Sequence, residues 1–176
     1  MPLALAHGQL ADAWVQRLRP DADDALRLAA RAHHLRRWEL PRSDYPEGRP
    51  GYLRWRRDQK ARHATDVEGL LVAAGYNATV IGRVQALIRR DDLATDAATK
   101  TIEDAACLVF LETQLASLAD RLTPERLGEV IRKTAAKMSP AGVAMVSEVP
   151  LADRERQRLI EALDASRGLS LDASQA

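Results

Sequence analysis

The chain has 176 residues, of which 46% are apolar and only 4% aromatic, and its formal net charge is +1. This length and apolar content predict one domain with a mainly aliphatic core, and the near-neutral charge excludes a global attraction to polyanions. The lone Cys107 excludes an intramolecular disulfide. No apolar run approaches the roughly 20 residues of a membrane-spanning helix. The segment Met1–Ala6 lacks the length and basic flank of a signal peptide, so we expect a soluble, cytoplasmic protein.

Apolar residues at helical spacing predict about six to seven helices and no strands, which makes the expected fold an all-α, single-domain helical bundle. A first helix is expected from about residue 8 to Arg19. The second, at about 22–38 with Asp21 as its N-cap, is apolar around most of its circumference and should be central. The segment 39–51 contains three prolines and two glycines, which predicts a loop without regular structure. A loop of this length within a domain is often functional.

Five further helices are expected, at about 52–74, after Asn77, at about 97–120, after Thr123-Pro124, and at 150–167. Gly75 should end the third helix, and Asn77 and Thr123 should cap the next ones. The pattern at 143–149 fits either a helical turn or an extended segment. The expected domain covers 1–167, followed by a frayed tail at 168–176.

The segment from His33 to His63 has an unusual composition for a helical bundle. It contains three of the four histidines and four of the seven aromatic residues. Between Arg36 and Arg62, nine Lys or Arg residues stand against four Asp or Glu residues. This concentration of charge and aromatic surface indicates a binding site.

Three side chains in different predicted helices are expected to point inward. His63 shares an apolar stripe with Val67, His34 follows Ala30 by one turn, and Asp104 opens a charge-free apolar run. Each histidine fits either a core residue with one hydrogen bond or a ligand, and Asp104 fits either a salt bridge to an arginine or a ligand. As a set they suit a divalent metal such as Mn, Fe or Zn, which would activate water and clamp phosphate oxygens.

Two neighbouring residues are expected to have simpler roles. Glu103 should be solvated or paired with an arginine, and Cys107 should be inert packing.

Arginines and aromatic residues alternate through the segment 36–57. They are Arg37, Arg42, Arg49, Arg54, Arg56 and Arg57, with Trp38, Tyr45, Tyr52 and Trp55. Guanidinium groups bind phosphates bidentately and aromatic faces stack on bases. Three interpretations stay open: a structural lattice that fixes the loop, a site for a phosphorylated small molecule, and a nucleic-acid surface. Trp38 and Trp55 are expected to be partly buried anchors in all three.

Several runs of residues resemble one family. The runs Ala29–Arg42, Tyr45-Pro46, Arg49–Arg56 and Ile102–Glu112 are similar to those of domain of unknown function 4202. The likeness covers nearly the whole chain. It implies no particular activity.

The order of polar residues also resembles the HD-domain superfamily, all-helical proteins that are mostly metal-dependent phosphohydrolases. By that resemblance His34, His63 and Asp104 would be metal ligands, and His7 is the only candidate for the first histidine. The sequence departs from the pattern where Leu35 follows His34 in place of the bridging aspartate. The resemblance therefore implies an HD-like fold with a degenerate metal motif.

Our leading hypothesis is an HD-like domain with a polar pocket between the second, third and fifth helices, covered by the loop 39–51. The pocket would bind a phosphorylated small molecule, and would hydrolyse a phosphoester if His34, His63 and Asp104 hold a metal. The alternative is a non-catalytic module that binds a nucleotide, RNA or another protein through 36–57. A third hypothesis is a structural partner of a neighbouring enzyme.

Overall fold

The computed structural model describes residues 3–172, with side chains described as far as Leu163. The α-helices are α1 (Leu3–Leu18), α2 (Asp24–Arg31), α3 (Gly48–Ala73), α4 (Ala78–Arg89), α5 (Ala97–Ala119), α6 (Pro124–Ala135), α7 (Pro140–Ala144) and α8 (Asp153–Asp172). No strand occurs within residues 3–172, so the all-α prediction is confirmed. None of the helices in this range combines the length and apolar character needed to cross a bilayer.

The chain divides into two compact units, Met1–Ala106 and Cys107–Ala176, with the division inside α5. In the first unit α1 packs on α2, and α4 packs on both α2 and α3. In the second unit α6 packs on α8. The single domain over 1–167 and the HD-like topology both stay predictions.

The start of α2 differs from the sequence prediction. Asp23, not Asp21, is the N-cap, because its side chain accepts a hydrogen bond from the Leu26 amide at 2.8 Å. Asp21 instead lies 3.2 Å from the Arg19 guanidinium, in the turn that joins the two helices. Aspartate is a favoured N-cap residue at position 21 or 23, so the sequence does not distinguish the two. The path of the backbone decides which of them caps α2.

The second helix is also shorter than predicted, since α2 ends at Arg31 rather than near 38. His34 and Arg36 have φ angles of 65° and 46°. These left-handed conformations cannot continue a right-handed helix, and side chains with a Cβ rarely adopt them. The chain therefore reverses direction across 32–36, immediately before the arginine-rich segment.

Short helical turns occupy part of the segment predicted to be an irregular loop. The 3-10 turns are Arg37–Glu39 and Arg42–Asp44, and α3 begins at Gly48 rather than near residue 52. Pro50 lies in the first turn of α3, where its missing N–H removes no helical hydrogen bond. Gly51 packs so closely that a Cβ at this position would overlap the Pro46 carbonyl oxygen.

A buried carboxylate joins α1 to α2. Asp12 accepts hydrogen bonds from the Nε atoms of Arg27, at 3.1 Å, and Arg31, at 2.7 Å. Burial raises the pKa of Asp12, but the two guanidinium groups outweigh that effect and hold the pKa below its usual value. Gly8 lets the helices approach, because a Cβ there would overlap the Arg31 carbonyl oxygen.

The predicted caps downstream are confirmed. Gly75 follows α3 with a φ of 83°, and the Tyr76 amide donates to the Leu71 carbonyl at 3.0 Å, which completes a Schellman-type end. The side chain of Asn77 accepts from the Val80 amide at 2.9 Å at the start of α4. Thr123 accepts from the Arg126 amide at 3.4 Å, with Pro124 as the first residue of α6.

The second unit has a core of aliphatic side chains. Its most fully buried members are Leu108, Leu111, Leu115, Leu127, Ile131 and Val149. The ambiguous segment 143–149 is helical, with α7 followed by the 3-10 turn Met145–Glu148. Cys107 is buried with its Sγ 3.9 Å from the Thr134 carbonyl oxygen, as expected for a packing residue. The helix α8 continues to Asp172, and residues 173–176 of the expected tail lie outside the described residues.

Candidate functional site

All four histidines of the chain come together in the first unit. His7 lies on α1, His33 and His34 follow α2, and His63 lies on α3. The Nδ1 atoms of His7 and His34 are 3.0 Å apart, and the rings of His33 and His34 stack with their centroids 4.0 Å apart. His63 is close enough for its charge to act on both His33 and His34. We call these four residues the histidine cluster.

Two features of the backbone bring this cluster together. The contact between Gly8 and the Arg31 carbonyl brings the start of α1 beside the end of α2, which places His7 against His34. The left-handed conformations at His34 and Arg36 then turn the chain. Such conformations in residues other than glycine cost on the order of 1–3 kcal/mol and concentrate at functional sites.

The imidazoles of the cluster favour the neutral form. Burial, followed by the charge of Arg37, lowers the pKa of His34 to about 3 and that of His63 to about 4. Burial and the neighbouring imidazole of His34 lower the pKa of His33 well below its usual value. At neutral pH these side chains therefore offer hydrogen bonds rather than positive charge.

His63 has an unsatisfied atom. The residue is 7% exposed, and its Nε2 is buried without a hydrogen-bond partner among the residues that the structure describes. A buried imidazole nitrogen left unpaired costs free energy, and most such atoms in folded proteins have a partner. The unpaired Nε2 therefore suggests a ligand.

One face of α3 carries the polar groups of the site. Tyr52, Arg56, Lys60 and His63 follow each other at helical spacings of four, four and three residues, and we call them the α3 stripe. Exposure falls along the stripe, from Tyr52 at 43% through the half-buried Arg56 and Lys60 to the buried His63. The stripe thus leads from solvent to the histidine cluster.

Four cations lie beside the histidines, and we call Arg37, Arg56, Lys60 and Arg90 the cationic cluster. Burial and then the charge of Arg56 lower the pKa of Arg37. Burial and then the charge of Arg90 lower the pKa of Lys60. These positive charges therefore repel one another in a partly desolvated setting.

Among the described residues, one member of the cationic cluster forms an ion pair with a carboxylate. Arg90 pairs with Glu103 at 3.1 Å, and both side chains are largely buried, so Glu103 is arginine-paired as expected. Burial raises the pKa of Glu103, but Arg90 holds it below its usual value. Within the part of the chain that the structure describes, no carboxylate forms an ion pair with Arg37, Arg56 or Lys60.

The two tryptophans behave differently. Trp55 is a buried anchor as predicted, and its Nε1 donates to the Leu40 carbonyl at 2.9 Å. Trp38 is 65% exposed, so its predicted role as an anchor is wrong. The Arg37 guanidinium covers the Trp55 ring at 4.5 Å instead. Successive residues of a 3-10 turn point about 120° apart, so Trp38 faces away when Arg37 faces inward.

Several other predicted site residues hold the connection to α3 in place. Arg42 donates to the carbonyls of Tyr45 and Pro46, each at 2.8 Å. The Tyr45 hydroxyl donates to Asp58 at 3.1 Å. Arg49 is exposed in the first turn of α3. These contacts fit the structural-lattice interpretation.

The expected metal ligands are partly brought together. His34 and His63 lie in the histidine cluster, and Asp104 is buried in α5 as the sequence predicted. Among the side chains that the structure describes, residues 3–163, no group of three or more His, Cys, Asp or Glu residues is arranged to hold a metal ion. Ligation of Mn, Fe or Zn by His34, His63 and Asp104 stays a prediction.

Three residues of the site, His33, Lys60 and Arg90, were not among the candidates drawn from the sequence, and His7 was named only through the HD-domain resemblance. Lys60 had a usable signal, because it follows Arg56 by four residues on a helix. His33 adjoins a selected histidine. No local pattern marks His7 or Arg90 as members, because their proximity depends on how α1 and α4 pack against α2.

Comparison with known proteins returned one match. The model of a family described as "Domain of unknown function (DUF4202)" matches residues 1–160. No curated protein and no solved structure matches the chain.

Proposed function

The chain belongs to the DUF4202 family, and on that premise we propose that it binds a phosphorylated small molecule between the cationic cluster and the histidine cluster. The ligand's phosphate would lie against Arg37, Arg56 and Lys60. The half-buried position of these cations suits a small ligand better than an extended one.

One observation carries this proposal: three half-buried cations lie together without a direct ion pair among the described residues, and the nearby carboxylate of Glu103, which acts on Arg56 and Lys60, is itself paired with Arg90. Desolvated like charges are costly, and an anion that enters among them removes the repulsion. A phosphate monoester carries about two negative charges at pH 7 and accepts the forked donors of guanidinium groups. It is therefore the anion that best matches this set.

The neutral imidazoles complement the cations. In the tautomer that carries its proton on Nε2, His63 would donate a hydrogen bond to a phosphate oxygen and so satisfy its unpaired atom. Because burial and Arg37 lower the pKa of His63 to about 4, this donor adds no further positive charge at neutral pH. Charge neutralisation would thus come from the cations and orientation from the imidazole.

Calorimetric titration with ribose 5-phosphate tests the proposal. The matched variants are Arg56→Gln, which removes a cation of the cluster, and Arg57→Gln, which removes the adjacent exposed arginine that pairs with Asp58. We expect saturable binding that Arg56→Gln weakens about tenfold, the usual order for a charge-assisted hydrogen bond, and that Arg57→Gln leaves unchanged. Absence of binding at low salt, or equal loss in both variants, would contradict the proposal.

Hydrolysis is the stronger form of the proposal. With a divalent metal held by His34, His63 and Asp104, the bound phosphoester would be cleaved by an activated water. Release of inorganic phosphate that depends on added Mn²⁺, Fe²⁺ or Zn²⁺, together with metal found by elemental analysis of protein purified without chelator, would extend the function to a phosphohydrolase. A metal-free protein that releases no phosphate would remove the hydrolysis proposal and leave only the binding proposal.

A second candidate function rests on the exposure of Trp38 at 65% and of Leu53 at 53%. These side chains lie within the arginine-rich segment 36–57 and could stack on or pack against a larger partner such as RNA. Binding of single-stranded RNA that falls steeply with salt and is lost in Trp38→Ala would favour this candidate. Unchanged RNA binding in Trp38→Ala would count against it.

A further inference from the structure

Tyr52 ends the α3 stripe on the solvent side, next to the proposed phosphate position. Its ring is 43% exposed, and the Arg56 guanidinium lies 6.0 Å from the ring centroid. Tyr52 is also close enough for its charge state to act on Arg37. A partly exposed aromatic ring therefore adjoins two cations that form no ion pair with a carboxylate in the described part of the chain.

The ring is held in place rather than free to turn away. Trp55 contacts it, with the two ring centroids 5.8 Å apart and a tilt of 40°. Trp55 is itself fixed by its hydrogen bond to the Leu40 carbonyl and by the Arg37 guanidinium, which lies 4.5 Å from the Trp55 ring centroid. The close contact between Gly51 and the Pro46 carbonyl fixes the backbone just before Tyr52. A preorganised ring loses little entropy when a second ring stacks on it.

The dimensions of α3 determine what can reach from the ring to the cations. Residues four apart on a helix are separated by about 6 Å along its axis, so Arg56 and Lys60 lie about one and two turns inward from Tyr52. A ligand that contacts both the Tyr52 ring and the cations needs a flat apolar group and a phosphate, separated by a short linker. A 5′-nucleotide has this form, with a ribose between its base and its phosphate.

We infer that the ligand is a mononucleotide whose base stacks on Tyr52 while its phosphate lies among Arg37, Arg56 and Lys60. This inference rests on the proposed phosphate site and adds the aromatic half of the ligand. The burial of His63 at the inner end of the stripe sets the direction, with the phosphate inward and the base toward solvent.

The test compares adenosine 5′-monophosphate with ribose 5-phosphate, which has the same phosphate and sugar but no base. Both are titrated into the wild-type protein, Tyr52→Leu and Tyr52→Phe. Stacking of a base on an aromatic side chain is worth about 1–3 kcal/mol, so the nucleotide should bind the wild type about tenfold or more tightly than ribose 5-phosphate. Tyr52→Leu should abolish that advantage, and Tyr52→Phe should keep it.

The outcomes of these titrations distinguish failure of the nucleotide inference from failure of the proposed phosphate site. Equal affinity of the wild type for the two ligands, or a nucleotide advantage that survives in Tyr52→Leu, overturns the nucleotide inference and leaves the phosphate site standing. Absence of binding of either ligand overturns both. A circular dichroism spectrum for each variant that matches the wild type establishes that lost affinity reflects the ring and not unfolding.

Discussion

At the scale of single residues, the site places buried histidines beside an arginine, and this lowers the pKa values of the histidines. Burial, together with Arg37, lowers the pKa of His34 to about 3 and that of His63 to about 4, from a usual value near 6.5. An unfolded chain has neither the burial nor the nearby guanidinium, so its histidines take up protons at higher pH. The proton affinity of these two residues therefore differs between the folded and unfolded states.

This difference makes stability depend on pH. As the pH falls from about 6.5 toward 4, the unfolded state binds protons that the folded state excludes, so the free energy of unfolding should fall by on the order of 1 kcal/mol per pH unit for each histidine. Urea unfolding at pH 7, 6 and 5 measures this slope, and His63→Gln should reduce it. A free energy of unfolding that stays constant or rises between pH 7 and 5 would show that the imidazoles are not held neutral by the fold.

Asp12 gives a second prediction at this scale. Asp12→Asn keeps the size of the buried side chain but removes the charge that Arg27 and Arg31 neutralise. We expect the free energy of unfolding to decrease by about 1–3 kcal/mol, because the buried carboxylate loses its charge-assisted hydrogen bonds from two partly exposed guanidinium groups. The control is Asp21→Asn, at an exposed pair with Arg19, for which urea unfolding should detect no change. Equal effects of the two substitutions would argue against a special role for Asp12.

At the scale of helices, local chemistry determined most of what could be predicted from sequence. Gly75, Asn77 and Thr123 act within their own turns, and each takes the capping role that its residue type favours. Asp21 and Asp23 offer the same chemistry two residues apart, so the sequence did not distinguish them. The early end of α2 was missed because the backbone turns left-handed at His34, a conformation that histidine adopts more often than most residues but that its residue type alone does not specify.

The contact between α1 and α2 gives a prediction for this scale. Gly8→Ala would drive a Cβ into the Arg31 carbonyl oxygen, so it should destabilise the protein by about 1–3 kcal/mol and displace His7. The matched control is Gly82→Ala in α4, where nothing lies within 4 Å of the added Cβ. That change should stabilise the protein by about 0.5–1 kcal/mol, because alanine loses less backbone entropy in a helix. Thermal unfolding compares the two, and equal shifts would contradict the close approach of the helices.

At the scale of the whole molecule, the site is a product of tertiary packing. Its members come from α1, the turn after α2, α3 and the end of α4, which are separated by as much as 83 positions between His7 and Arg90. The α3 stripe was accessible from the sequence because its spacing is helical. The inclusion of His33 and Arg90 was not, and His7 was indicated only by the HD-domain resemblance, because no periodicity within one helix specifies which neighbouring helix it contacts.

The most direct test of the central claim observes the imidazoles themselves. Long-range ¹H–¹⁵N NMR spectra resolve the ring nitrogens of His7, His33, His34 and His63, and can be followed while adenosine 5′-monophosphate is added at pH 7. We predict saturable shifts of the cluster, largest at Nε2 of His63, with a midpoint that moves to higher ligand concentration in Arg56→Gln and not in Arg57→Gln. Imidazole signals that stay unchanged at millimolar ligand would contradict the account.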